Sequence, residues 1–327
     1  MTPAVFLKLA AIFATIAIGW AAGRTRPFAG AEVARTVSNV TFYVFVPALL
    51  FRATARIDLA AMPWRVLDVF FVPVVGWMLL VYAVQRRRRA PDDVARPGVR
   101  AITAAFGNNA QLGIPMATAL FGEAGLQLHL AIVALHALTL LSILTLLVER
   151  DLAHAAARGG GPAAHPLRTL ALTVRNTVVH PIVLPVLAGL GWNLTRLALP
   201  GPLDEVLLML GAAVIPLSLV AIGLSLGHYG LRGAAGAAGA LAAAKLLVLP
   251  ALVFAAGLLC GLRGLPLAVV VMAAAMPTGV NALLFAQRYR SGEGETTATI
   301  VLSTLAFAAS SPLWLVLLQQ RFATMTP

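Results

Sequence analysis

Ten apolar runs, each about 20 residues long and separated by short connections, are the length a helix needs to cross a bilayer. They fall at 3–23, 34–51, 66–85, 99–122, 126–148, 170–194, 205–227, 234–260, 264–287 and 297–318. The pattern excludes a soluble globular fold. A soluble domain carries roughly 25% charged residues, whereas this chain of 327 residues is 11% charged and 60% hydrophobic. The longest connections, 86–98 and 149–169, leave no room for a separate soluble domain. The sequence therefore predicts an all-α integral membrane protein.

The formal net charge of +12 raises the possibility of nucleic-acid binding. The arginines do not form a basic face or a basic domain, so no nucleic acid is expected. Connections after odd-numbered runs hold Arg24, Arg26, Arg35, Arg86 to Arg89, Arg96, Arg100, Arg150, Arg158, Arg168, Arg175, Arg232, Arg288 and Arg290. The opposite side holds only Arg52, Arg56, Arg65, Arg196, Arg263 and Arg321. Cytoplasmic loops are the basic ones, so both termini are expected on the extracytoplasmic side. Alanine- and arginine-rich usage points to a bacterial inner membrane. The first run is not read as a signal peptide, because Arg24 and Arg26 follow it instead of leading it.

The linker 151–169, with Gly159-Gly160-Gly161-Pro162, divides the chain into halves at 1–150 and 170–327, each with five runs. The halves echo one another. Gly19-Trp20 recurs as Gly191-Trp192, Pro47 as Pro216, Pro73 as Pro250, and a break near Gly113 as one near Gly279. Five crossings per half make the second half enter upside down. Inverted repeats with interrupted helices at matching places point to a secondary transporter with its site at the repeat interface.

The two interruptions are the polar stretches FGNNAQLGIP (106–115) and AAMPTGVNALLFAQRY (274–289). Proline and glycine break helices, and broken backbone at membrane depth must be buried in protein or line a cavity. Asn108, Asn109, Gln111, Gly113 and Pro115 make one candidate substrate-binding arm; Pro277, Thr278, Gly279 and Asn281 make the other. The inward N-terminus of a half-helix suits a carboxylate. The alternative is a simple kink whose amides bond the freed carbonyls.

These motifs, with FYVFVPALLF (42–51), HPIVLPVLAG (180–189) and VIPLSLVAIGLSLG (214–227), resemble the auxin efflux carrier family over nearly the whole chain. The resemblance implies ten transmembrane helices as two inverted five-helix repeats with broken, crossing helices 4 and 9, similar to bile acid–sodium symporters. It also implies a moving transport domain, a scaffold that dimerises, and substrate contacts at Asn108, Asn109, Pro115, Pro277 and Asn281. The short loop between the halves is like that of bacterial members, which are linked to small organic acids such as malate or malonate.

Ionisable groups inside membrane spans are functional candidates. Lys245 is read as a coupling or charge-compensating group, with snorkelling or a structural pair as the bland alternative. His136 or His180 is a candidate proton carrier. His129 and His136 share a helix face, but two ligands without a third make a poor metal site, so no metal and no cofactor is expected. Asp68, Glu205 and Glu123 read as solvated anchors. No acidic residue flanks either break closely, so the coupling ion, proton or sodium, stays open.

The expected function is secondary transport of a small organic anion by elevator-type alternating access, with membrane lipid and a second copy as partners. The alternatives are a passive channel or uniporter of the same fold, or a sodium-coupled symporter. A membrane hydrolase would need a nucleophile–base pair or a metal motif, and neither is present.

Overall fold

The computed structural model describes residues 3–56, 63–87, 93–158, 183–229 and 235–323. The described residues form helices and no strand beyond a single bridge. In chain order they are α1 (Pro3–Ala22), α2 (Ala31–Val40), α3 (Val46–Ala55), α4 (Trp64–Arg87), α5 (Arg96–Ala105), α6 (Ile114–Arg158), α7 (Val183–Leu194), α8 (Gly201–Tyr229), α9 (Ala235–Ala243), α10 (Leu249–Leu259), α11 (Gly264–Ala275), α12 (Val280–Tyr289) and α13 (Glu293–Ala323). Six helical stretches are long and apolar enough to cross a membrane: Glu32–Ala55, Trp64–Arg87, Asn109–Ala155, Gly201–Leu224, Gly236–Leu259 and Glu293–Gln319. The chain is a multi-pass membrane protein.

Two of the expected spans divide as the polar stretches require. Run 99–122 is α5, a break, and the start of α6; run 264–287 is α11, a break, and α12. Runs 4 and 5 then share one long helix, α6, bent at Gly122, whose φ of 66° and ψ of −161° interrupt it. α6 continues to Arg158, so the first part of the expected linker is helix; 159–182, which includes His180, lies outside the described residues.

Proline leaves its mark in three places. Widened π-helical turns at Thr41–Phe45, Asn109–Gly113 and Ala244–Val248 each stand just before an X-Pro pair, at Pro47, Pro115 and Pro250. A helical proline cannot donate to the carbonyl four residues back and clashes with it, and a wider turn relieves that clash. Pro73, Pro216 and Pro312 pass through α4, α8 and α13 without such a turn.

The helices pack in two groups. One joins α1, α2, α3, α7 and α8; the other joins α4, α5, α6 and α9 to α13. Within the first group glycines let backbones touch. A Cβ on Gly19 would lie 2.5 Å from the Val220 carbonyl oxygen, and one on Gly223 would lie 2.1 Å from that of Ile16. Gly19-x-x-x-Gly23 on α1 thus crosses Gly223-x-x-x-Gly227 on α8, the small-residue packing that membrane helices use in place of a hydrophobic drive. Gly189 on α7 meets α3 in the same way, 2.6 Å from the Phe51 carbonyl oxygen.

Among the described residues, each of the following ion pairs stays inside its own group. Asp204 on α8 takes Arg52 and Arg56 from the end of α3. In the second group Arg86 pairs with Asp151, Arg96 and Arg100 with Glu295, and Arg288 with Glu149. The groups meet through apolar contacts, such as Phe13 on α1 against Phe307 on α13, with ring centroids 6.3 Å apart.

Gly223→Ala is expected to lower the thermal unfolding midpoint in detergent, with a cost of about 1–3 kcal/mol from overpacking. Gly236→Ala, where an added Cβ meets nothing within 4 Å, is expected to leave it unchanged. Equal midpoints for the two would show that the α1–α8 crossing is not tight.

Candidate substrate site

Both broken helices end in backbone with no helical partner, and the two ends solve the problem together. The amide of Asn108 donates to the carbonyl of Pro277 at 2.7 Å, and the amide of Gly279 donates to that of Phe106 at 2.9 Å. Gly107 and Thr278 therefore face each other in a one-rung antiparallel bridge. Glycine is needed here because the strands are so close. A Cβ on Gly279 would sit 3.0 Å from the Gly107 carbonyl oxygen, and one on Gly107 would sit 2.9 Å from Asn109 Nδ2.

Side chains take up the remaining groups. Thr278 Oγ1 donates to the carbonyl of Thr103 at 3.0 Å, and the Thr278 amide donates to Ser303 Oγ at 3.1 Å. Trp77 Nε1 on α4 donates to the carbonyl of Ala104, in the last turn of α5. Lys245 does the equivalent job for α11, donating from Nζ to the carbonyl of Ala274 at 2.6 Å. It is 0% exposed and sits in the π turn ahead of Pro250. A cation at a helix C-terminus also meets the negative end of the macrodipole. Lys245 therefore neither snorkels nor pairs with a carboxylate; it caps a broken helix. Trp314 Nε1 donates to the carbonyl of Leu246, the group that Pro250 leaves free.

The first arm continues as a π turn whose N-cap is Asn108. Asn108 Oδ1 accepts from the Gln111 amide at 3.2 Å, and its carbonyl accepts from the amides of Leu112 and Gly113. His129 on α6 bonds the carbonyl of Asn109 through Nε2 at 2.8 Å. Gly113 leaves room for that ring, since a Cβ there would be 2.4 Å from His129 Nε2. His129 is thus occupied by backbone, and among the described residues no group of three or more His, Cys, Asp or Glu could hold a metal.

A cavity of about 100 Å³ opens beside the crossing. Its walls include Asn108, Asn109, Gln111, His136, Gly279 and Asn281, with Ser38, Asn39, Phe42 and Tyr43 from α2 and the turn after it. Among the described residues no carboxylate, lysine or arginine lines it. Asn109 is 2% exposed, yet neither its Oδ1 nor its Nδ2 has a partner; His136 is 3% exposed and its Nε2 has none. The His136 ring is held against Phe106 with centroids 4.4 Å apart. Two helix starts meet at this cavity, and the amides of Asn109 and Ala110 on one and of Val280 and Asn281 on the other make no backbone bond. Such amides, at the positive end of a helix dipole, are a ready anion site.

Of the residues expected at the site, Asn108, Asn109, Gln111, Asn281 and His136 line the cavity, while Gly113, Pro115, Pro277 and Thr278 build the crossing and the π turn behind it. The half-helices α5 and α11 end at Ala105 and Ala275, 170 residues apart. Gly113 stands eight residues past the end of α5, and Gly279 four residues past the end of α11. Trp77, Thr103 and Ser303 escaped sequence reasoning. Each sits in an apolar run with no local irregularity, and only their partners across space give them a role.

A family model described as membrane transport protein matches residues 4–315. The chain belongs to this transport family, the auxin efflux carriers. It is 26% identical over 289 residues to an "Uncharacterized transporter" of Methanothermobacter thermautotrophicus, covering 88% of this chain and 90% of that one. It is 24% identical over 302 residues to a "Putative malonate transporter" of Rhizobium meliloti, covering 91% of each. The protein is a transporter and not an enzyme.

Gly113→Ala is expected to lower the thermal midpoint by displacing His129, and His129→Ala in the same chain is expected to recover part of the loss. If the two effects simply add, the ring and the glycine do not interact.

Proposed function

We propose that the protein is a secondary transporter of small organic anions, such as mono- or dicarboxylates or auxin-like acids, and that it binds them in the cavity beside the crossing. The observation that carries this reading is the pair of helix starts with unpaired amides converging on Asn109, a buried amide side chain with no partner. A buried donor without a partner is costly, and an incoming carboxylate can accept from Asn109 Nδ2 and from the helix-start amides. The cavity favours a small ligand: about 100 Å³ is well below the roughly 300–1,000 Å³ of sites for drug-sized molecules. The malonate link of one relative fits that size.

With no fixed charge in the walls, the helix dipoles, the amides and His136 must balance the substrate charge. His136 is the imidazole among the described wall residues and the candidate proton carrier; Lys245 serves the site indirectly by holding α11. Sodium bound there would rest on amide, hydroxyl and carbonyl oxygens and not on a carboxylate, so coupling to proton or sodium and potential-driven movement all fit the described walls. Export of an anion from a cell with a negative interior gains about 2.3 kcal/mol per charge per 100 mV.

The transport step in this reading is an elevator-type shift of the group holding the crossing, in a bacterial inner membrane with both termini extracytoplasmic. The confinement of these ion pairs to one group or the other supports such a shift, since none of them, among the described residues, resists sliding. The halves are inverted repeats in this reading. That is supported by matched packing, α1 on α8 and α7 on α3, α4 on α5 and α10 on α11. A second copy of the chain, docked through the first helix group, completes the assembly.

Purified protein in liposomes tests this with radiolabelled malonate. Asn109→Ala and Asn281→Ala are each expected to lower uptake at least tenfold, and unlabelled malonate inside is expected to stimulate entry. Wild-type rates and affinity in both folded variants would place the site elsewhere, and absence of trans-stimulation would favour a passive channel.

A further inference from the structure

A second cavity, about 540 Å³, lies between the two helix groups. The site cavity reaches Ser38 and Asn39 on α2, whereas the second is bounded by Arg52 and Arg56 at the far end of the same α2–α3 run, and by Glu123 and Gln127 on α6. The two cavities therefore open toward opposite ends of the helices. What separates them is one apolar cluster built from both groups. Val46 and Leu50 on α3 and Val214 on α8 form one side, each 0% exposed; Ala110, Ile114, Val133 and Ala134 form the other.

This cluster is thin. Ala110 and Val133 line the site cavity, while Ile114 and Ala134 line the second. Ala110 to Ile114 is about one helical turn, or roughly 5.4 Å. Polar walls keep a cavity wet, and a narrow apolar constriction between two wet spaces blocks solutes by excluding water.

We propose that the two cavities are stations of a single permeation path and that this apolar septum is its gate. The second cavity then receives the same small anion after it passes, or before it reaches, the site; this part rests on the functional reading above. The gate is split between the groups, so it opens when one group moves against the other. No bond has to break, because its members present only alkyl groups.

Cysteine labelling tests the gate without using any substrate. Cys260 is the one native cysteine and is exposed, so Cys260→Ser provides the background. In that background Ser38→Cys and Thr118→Cys are each introduced singly and treated with a membrane-impermeant maleimide in vesicles of both orientations. With the septum intact, Ser38→Cys is expected to react from one face and Thr118→Cys from the other. Adding Leu50→Ala with Val133→Ala is expected to raise labelling of each from its far face at least tenfold. Val214→Ala, a smaller change, is expected to move it in the same direction should the double variant fail to fold. One-sided labelling that survives in every folded septum variant would overturn the proposal. Failure of malonate uptake with an intact labelling pattern would sink the functional reading and leave the gate standing.

Discussion

The exchange of two amide–carbonyl bonds between Phe106–Asn108 and Pro277–Gly279 is the interaction on which the rest depends. Breaking two helices inside an apolar medium frees several N–H and C=O groups, and each left unpaired costs several kcal/mol. A lone break would have to recruit all its partners from side chains. Two breaks facing each other supply the central partners from their own backbones, and the glycines at 107 and 279 permit the approach. The same exchange shapes the candidate substrate site, because it brings both following helix starts to one cavity. Site and fold are held by the same bonds.

The capping around the crossing differs between the halves in an informative way. At α5 the freed carbonyl of Ala104 meets the indole N–H of Trp77; at α11 the carbonyl of Ala274 meets Nζ of Lys245. Both donors lie on the helix that precedes the broken one and reach its last turn. Each replaces a helical hydrogen bond that the break removes, so the polar cost of the break is met where the crossing is built. The cavity walls are left without Asp, Glu, Lys or Arg among the described residues.

Much of this was legible because membrane chemistry makes polar residues conspicuous. The amides of 106–111 and 277–281 stand out in apolar runs, and the runs themselves mark a multi-pass membrane protein. Sequence spacing was less reliable within the breaks. Matching Gly113 to Gly279 aligned two glycines with different jobs, one clearing the His129 ring and the other clearing a backbone strand. The ends of the two half-helices, Ala105 and Ala275, are alanines that nothing in the sequence singles out. Lys245 was visible as an anomaly, but its role depends on a carbonyl 29 residues away. The gate residues were invisible for a plainer reason: Val46, Leu50, Val133 and Val214 are ordinary aliphatics, and only the cavities on either side give their contact a meaning.

The distribution of charge sets what can move. Breaking one partner from a buried ion pair costs about 3–5 kcal/mol, so pairs spanning the two helix groups would lock them. Asp204 gathers Arg52 and Arg56 within the first group, while Glu295, Asp151 and Glu149 gather their arginines within the second. The tight glycine crossings lie in the first group as well, where a Cβ would collide with backbone and sliding is blocked. Rigidity is thus concentrated inside the first group and charge pairing inside each, leaving apolar side chains at the boundary. Apolar contacts are non-directional, and one set can be exchanged for another with little loss. A body held firmly within its parts and loosely between them has one soft direction, and the candidate site and the septum both lie on it.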